Sequence, residues 1–117
     1  MKRALLVLLM VTAFANVGAA QSSHQRKTEY FVEEATKEFK LNRKKRKELL
    51  QIRQKYVKDF VGAGKEFRKG NITAEEKQKE FNRINTKFKE DFGRLTGKTQ
   101  IELGVFMTWM RKELPRL

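Results

Sequence analysis

Few side chains in this sequence are equipped for covalent chemistry. His24 is the only histidine, and there is no cysteine. A Ser–His nucleophile pair would have to use His24, and no strand–turn–helix elbow surrounds any serine. Without cysteine, thiolate chemistry, disulfides and Cys/His metal sites are excluded. Glu33/Glu34 and Glu75/Glu76 are adjacent in sequence, so on a helix they diverge by about 100° and do not converge on a substrate. Glu75 and Glu76 also suit a helix start, where the dipole favours acids. Gly62-Ala63-Gly64 lacks the spacing and the preceding strand of a phosphate loop. Metal binding would fall to carboxylates alone. No enzymatic activity, cofactor or metal is expected, which leaves recognition.

Recognition is written in charge. The chain is net +13, and residues 37–69 hold 13 basic residues against 4 acids. At 100° per residue, Leu50, Val57 and Val61 form an apolar ridge. Arg43, Arg46, Lys47, Arg53, Lys65 and Arg68 surround it. These nine residues are the candidate binding site. Cations steer acidic segments from a distance, and the ridge adds sequence-tolerant apolar contact. Lysine and arginine stems widen the apolar surface without losing charge. The plainer alternative packs Leu50, Val57 and Val61 under helix one or helix four and leaves a solvated basic face. The run Arg43-Lys44-Lys45-Arg46-Lys47 also resembles a nuclear signal or a nucleic-acid patch.

The elements that would position these residues are helices. Apolar residues recur at three and four, with no sustained alternation. Helix one is expected over residues 25–40, with Phe31, Val32, Ala35 and Phe39 on one face. Helix two is expected over residues 42–69, its core stripe being Leu49, Ile52, Tyr56, Phe60, Ala63 and Phe67. Gly62 and Gly64 make a soft point but keep the phase, so one long helix is expected. Gly70-Asn71 turns the chain, and Thr73-Ala74-Glu75-Glu76 reads as a capping box. Helix three follows from Ala74 to about Phe92, with a stripe of Phe81, Ile84, Phe88, Phe92 and Leu95. Two matched stripes across a short turn imply an antiparallel hairpin. Thr96 is expected to cap helix four, over residues 97–113. One side of that helix carries Leu103, Phe106, Met107, Met110 and Leu114; the other carries Ile101, Val105 and Trp109. The fold class expected is all-α: four helices around a long central antiparallel hairpin.

Residues 1–20 read as a cleavable signal peptide. Lys2 and Arg3 precede a nearly unbroken apolar run from Ala4 to Ala15, and Gly18 and Ala20 suit the exit. The run is too short to span a bilayer. Residues 21–117 are then a single helical domain beginning at Gln21, soluble in the periplasm or outside the cell. Without a cysteine there is no site for a lipid anchor. Export sets nucleic acid aside as a cellular partner, although phosphates would bind the basic helix in vitro.

An exported, basic, four-helix chain with this central hairpin resembles the Spy/CpxP family of periplasmic stress proteins. Its members carry two LTxxQ motifs, each opening a helix. The corresponding sites are Leu41-Asn42-Arg43-Lys44-Lys45 and Leu95-Thr96-Gly97-Lys98-Thr99. Each keeps the leucine and a capping residue, while the glutamine is missing from its place and Gln100 falls one position late. The resemblance implies a cradle-shaped homodimer whose concave, basic and partly apolar face holds unfolding clients without ATP. Some relatives restrain an envelope-stress sensor kinase, and others bind metal, a branch that the histidine count disfavours. The expected function is therefore an exported, ATP-independent chaperone or envelope-stress adaptor. The alternatives are a binder of anionic envelope polymers or membrane surfaces, and an inhibitory protein with one target, docking through Trp109 and Val105.

Overall fold

The computed structural model describes the backbone of residues 19–117 and side chains from Ser23 onward. Apart from the backbone of Ala19 and Ala20, the expected leader lies outside the described residues. Four α-helices form the fold: α1 (Ala19–Phe39), α2 (Arg43–Arg68), α3 (Ala74–Thr96) and α4 (Gln100–Glu113). A 3-10 turn over Leu114–Arg116 ends the chain. No strand occurs among the described residues. The described residues are all-α with four helices, as their periodicity requires. Among the described residues no helix is long and apolar enough to cross a membrane.

Local chemistry sets the helix ends. α1 stops where Lys40 takes a left-handed conformation (φ 52°) and the Leu41 amide donates back to the Thr36 carbonyl at 3.1 Å. That is a Schellman closure with lysine in the place glycine usually fills. Asn42 caps α2, its side-chain oxygen accepting from the Lys45 amide at 2.8 Å. α2 runs unbroken through Gly62 and Gly64 and closes on Gly70 (φ 78°), with the Asn71 amide donating to the Glu66 carbonyl at 3.0 Å. The Thr73–Glu76 capping box opens α3: the Thr73 hydroxyl accepts from the Glu76 amide at 3.1 Å, and the Glu76 carboxylate accepts from the Thr73 amide at 3.0 Å. Those bonds hold the Glu76 carboxyl below its usual pKa.

Three boundaries differ from expectation. α1 begins at Ala19, because nothing from Ala19 to Gln25 breaks a helix. α3 continues past Phe92 to Thr96 and ends only at Gly97 (φ 68°). Thr96 is therefore in the last turn of α3, its hydroxyl donating to the Phe92 carbonyl at 2.8 Å. The cap of α4 is Thr99, whose hydroxyl accepts from the Glu102 amide at 3.3 Å. Of the two sites matched to the helix-opening motif, only Leu41-Asn42 opens a helix at its second residue.

The core centres on Phe31, which is fully buried. Its ring lies 5.6 Å from Phe88, 5.6 Å from Phe92 and 5.3 Å from Phe106, so one residue of α1 joins α3 and α4. Phe39 repeats the bridge one level away, 5.7 Å from Phe92 and 5.2 Å from Phe106. Val32, Ala35, Leu49, Leu103 and Met110 fill the spaces between. Edge-on aromatic pairs of this kind add about 0.5–1.5 kcal/mol each beyond the area they bury.

α2 and α3 lie side by side. Phe60 stacks on Phe81 at 4.0 Å, the Tyr56 hydroxyl donates to Asn85 at 3.0 Å, and the Lys77 ammonium sits 4.0 Å over Phe67. These pairs step up one helix as they step down the other. The main aromatic core gathers at the Leu49/Phe92 end of this pair, so Phe60, Phe67 and Phe81 at the far end are only half-buried. The radius of gyration is 16.9 Å, against about 13 Å for a compact domain of this size. The described residues form a flattened body, 52 × 42 × 24 Å.

Candidate binding face

The ridge on α2 is partly accessible, with Leu50 packed against the core. Leu50 and Val57 are half-buried, and Val61 is 41% exposed. They do not sit under α4. α1 runs alongside instead, and the two helices enclose an open groove of about 760 Å³. Leu50, Val57, Val61, Gln54 and Lys58 form its α2 wall; His24, Gln25, Thr28 and Glu29 form its α1 wall. The alternative that packs the ridge under helix one is met in part: α1 lies beside it, with Leu50 and Val57 half-buried and Val61 exposed. The signal for that placement is Thr28, which is 5% exposed. It extends the spacing of Val32, Ala35 and Phe39 one turn toward the N-terminus, so α1 keeps its inner face as far as the groove.

The cations around the ridge divide into three groups. Arg43, Lys47, Lys65 and Arg68 are exposed on the same stripe of α2, and none of them forms a salt bridge among the described residues. On α3, Arg83, Lys87 and Arg94 are tied to Glu80 or Asp91 on their own helix, while Lys79 and Lys89 are exposed and form no salt bridge among the described residues. Arg46 is exposed but committed: it donates from Nε and Nη2 to one oxygen of Glu33 on α1. That ion pair clips the far end of α1 to α2.

Arg53 departs from the expected arrangement. The spacing places it among the cations that surround the ridge, yet it is only 8% exposed. At 100° per residue it falls about midway between the ridge and the core stripe. Three rings draw it inward: its guanidinium carbon lies 4.1 Å from the Phe31 centroid, 4.4 Å from Tyr56 and 4.9 Å from Phe88. A guanidinium stacks well on aromatic faces and is weakly hydrated for a cation. Even so, Nη1 is enclosed with no hydrogen-bond partner among the described residues. Burial lowers the guanidinium pKa to about 10, and the nearby Tyr56 only partly opposes that fall.

Two other surfaces deserve comparison. Ile101, Val105 and Trp109 on α4 are 84%, 72% and 39% exposed and lie at i, i+4 and i+8, an open apolar stripe. Between α2 and α3 a smaller recess of about 270 Å³ has an apolar floor of Ile52, Tyr56, Ile84 and Phe88. Its rim charges are satisfied within their own helices, Lys55 by Asp59 and Lys87 by Asp91. The groove beside α2 combines its apolar wall with Lys58, which is exposed and forms no salt bridge among the described residues. No cluster of histidine, aspartate and glutamate suited to a metal occurs among the described residues.

Comparison of the chain with protein-family models, with curated proteins and with solved structures gives no match.

Proposed function

We propose that this chain is an exported, ATP-independent holdase or stress adaptor that binds non-native polypeptide along the α1–α2 groove. The observation that carries this reading is a partly open apolar ridge (Leu50, Val57, Val61) on the same helical stripe as exposed cations with no ion-pair partner among the described residues (Arg43, Lys47, Lys65, Arg68). Unpaired cations speed encounter with acidic segments, and the aliphatic ridge then holds whatever apolar side chains follow. Neither element selects a sequence, which suits varied clients and weak binding. The likeness to the Spy/CpxP family favours the same activity and adds a homodimeric cradle to the proposal. Mixing the chain with an aggregating client tests the reading: light scattering should fall as the chain is added. Unchanged scattering at several-fold molar excess overturns it. Export is part of the proposal, and N-terminal sequencing of secreted material should begin at Gln21.

The α4 stripe favours a second reading, a specific protein partner docked on Ile101, Val105 and Trp109. Contiguous exposed apolar residues of this kind mark interaction sites. A single stoichiometric partner lost on Val105→Ser, with client protection absent from the unmutated chain, would favour it over the holdase.

A further inference from the structure

A second space opens beside the groove. It is a slot of about 210 Å³ between α1 and α2, with Leu114 of the 3-10 turn on its lining. It shares Val57, Val61, His24 and Thr28 with the groove, so the two spaces adjoin. Its walls are mostly apolar: Tyr56, Phe60, Val57 and Val61. Its charged lining is basic, with Arg53 inside and Lys27 beside it. No salt bridge among the described residues reaches Arg53.

A buried charge without a counter-ion is costly, and a hydrophobe of similar volume usually serves stability at least as well. Nη1 is closed off from the slot as from solvent, but the other guanidinium donors keep some access and make no hydrogen bond among the described residues. Buried polar groups are almost always satisfied, so these donors call for a partner. Arginine's fork matches a carboxylate in two parallel hydrogen bonds. The apolar lining asks for a hydrocarbon portion attached to that carboxylate, and the adjoining groove leaves room for it to extend. Lys27 adds a second attraction for the same charge.

We infer that the slot binds a small amphiphilic carboxylate, with its charged end on Arg53 and its hydrocarbon tail along the Val57–Val61 ridge. The ligand class follows from one cation set in an apolar slot that adjoins an apolar groove. It does not depend on the holdase reading.

Calorimetric titration of the full chain with decanoate tests the assignment, with decanol as the uncharged probe of equal length. Saturable binding of one decanoate per chain is expected, at least tenfold tighter than decanol. Arg53→Met should weaken decanoate binding at least tenfold and leave decanol unchanged, with helicity checked by circular dichroism. In the unmutated chain, the Arg53 side-chain N–H resonance should shift with decanoate and not with decanol, a readout independent of any variant. Equal affinity for the two probes, an Arg53→Met chain that binds decanoate normally, or an unmoved Arg53 resonance at saturation would each overturn the inference. Client protection by Arg53→Met separates the two proposals. Protection that persists after decanoate binding is lost leaves the holdase intact, whereas decanoate binding in a chain that protects no client removes the holdase alone.

Discussion

At the scale of the residue, Arg53 decides most. It is a cation held inside an aromatic shell, with one nitrogen enclosed and unpaired. The rings offset part of its desolvation, each cation–π contact contributing about 0.5–2 kcal/mol. Arg53→Met keeps the packing volume and removes the buried charge. The ligand-free variant should be more stable than the parent by about 1 kcal/mol, or roughly 4–8 °C in Tm by thermal melting. A pH series gives an independent check. Burial lowers the folded-state pKa to about 10, while the unfolded chain keeps the ordinary guanidinium value. Below pH 10 both states hold the proton, and the folded state carries the full cost of the buried charge. As pH rises from about 10 toward the ordinary value, the unfolded state binds more protons, so stability from this group increases. The gap between Arg53→Met and the parent should therefore narrow over that window. The inward turn of Arg53 was not legible in the sequence. Its helical angle lies between ridge and core, and the rings that capture it arrive from α1 and α3, far away along the chain.

At the scale of the element, helix ends carry the predictions. Lys40 occupies a left-handed site that disfavours a side chain. Lys40→Gly should stabilise the chain by about 0.5–1 kcal/mol, measured by denaturant midpoint. Gly64 is interior to α2, and an added methyl would meet only the Arg68 side chain at 3.5 Å. Gly64→Ala should add a similar amount, since its helical backbone tolerates alanine without strain. Thr99→Ala should cost about 1 kcal/mol by removing the cap of α4. These elements also mark where the sequence was informative. The stripes on α2 and α3 were legible because their spacing stays in phase over about four or five turns, and Thr73–Glu76 because a capping box is a local pattern. The start of α4 is ambiguous in the sequence because Thr96 and Thr99 are both competent caps. Gly97 chooses between them by ending α3 at a positive φ, which places Thr96 inside α3. The acid three residues after Thr99, Glu102, was the overlooked signal.

At the scale of the molecule, charge and shape act together. The chain is net +13, and Arg43, Lys47, Lys65 and Arg68 share one stripe of α2 without a salt bridge among the described residues. The ridge was legible as a helical stripe, and the structure leaves it open on one side. The groove itself was not legible, because it exists only where α1 lies beside α2. Exposed charges act over about 8–10 Å at moderate salt and much less at 1 M. Client protection should therefore weaken severalfold between low salt and 1 M salt, with the Leu50–Val57–Val61 contact supplying what remains. The most direct test of the binding face is light scattering from an aggregating client in the presence of the parent chain and of Val57→Ser/Val61→Ser, matched for helicity. The parent should suppress scattering, and the double variant should need several-fold more protein for the same effect. Equal suppression by the two proteins, or none by the parent, would contradict a client face on the α1–α2 groove.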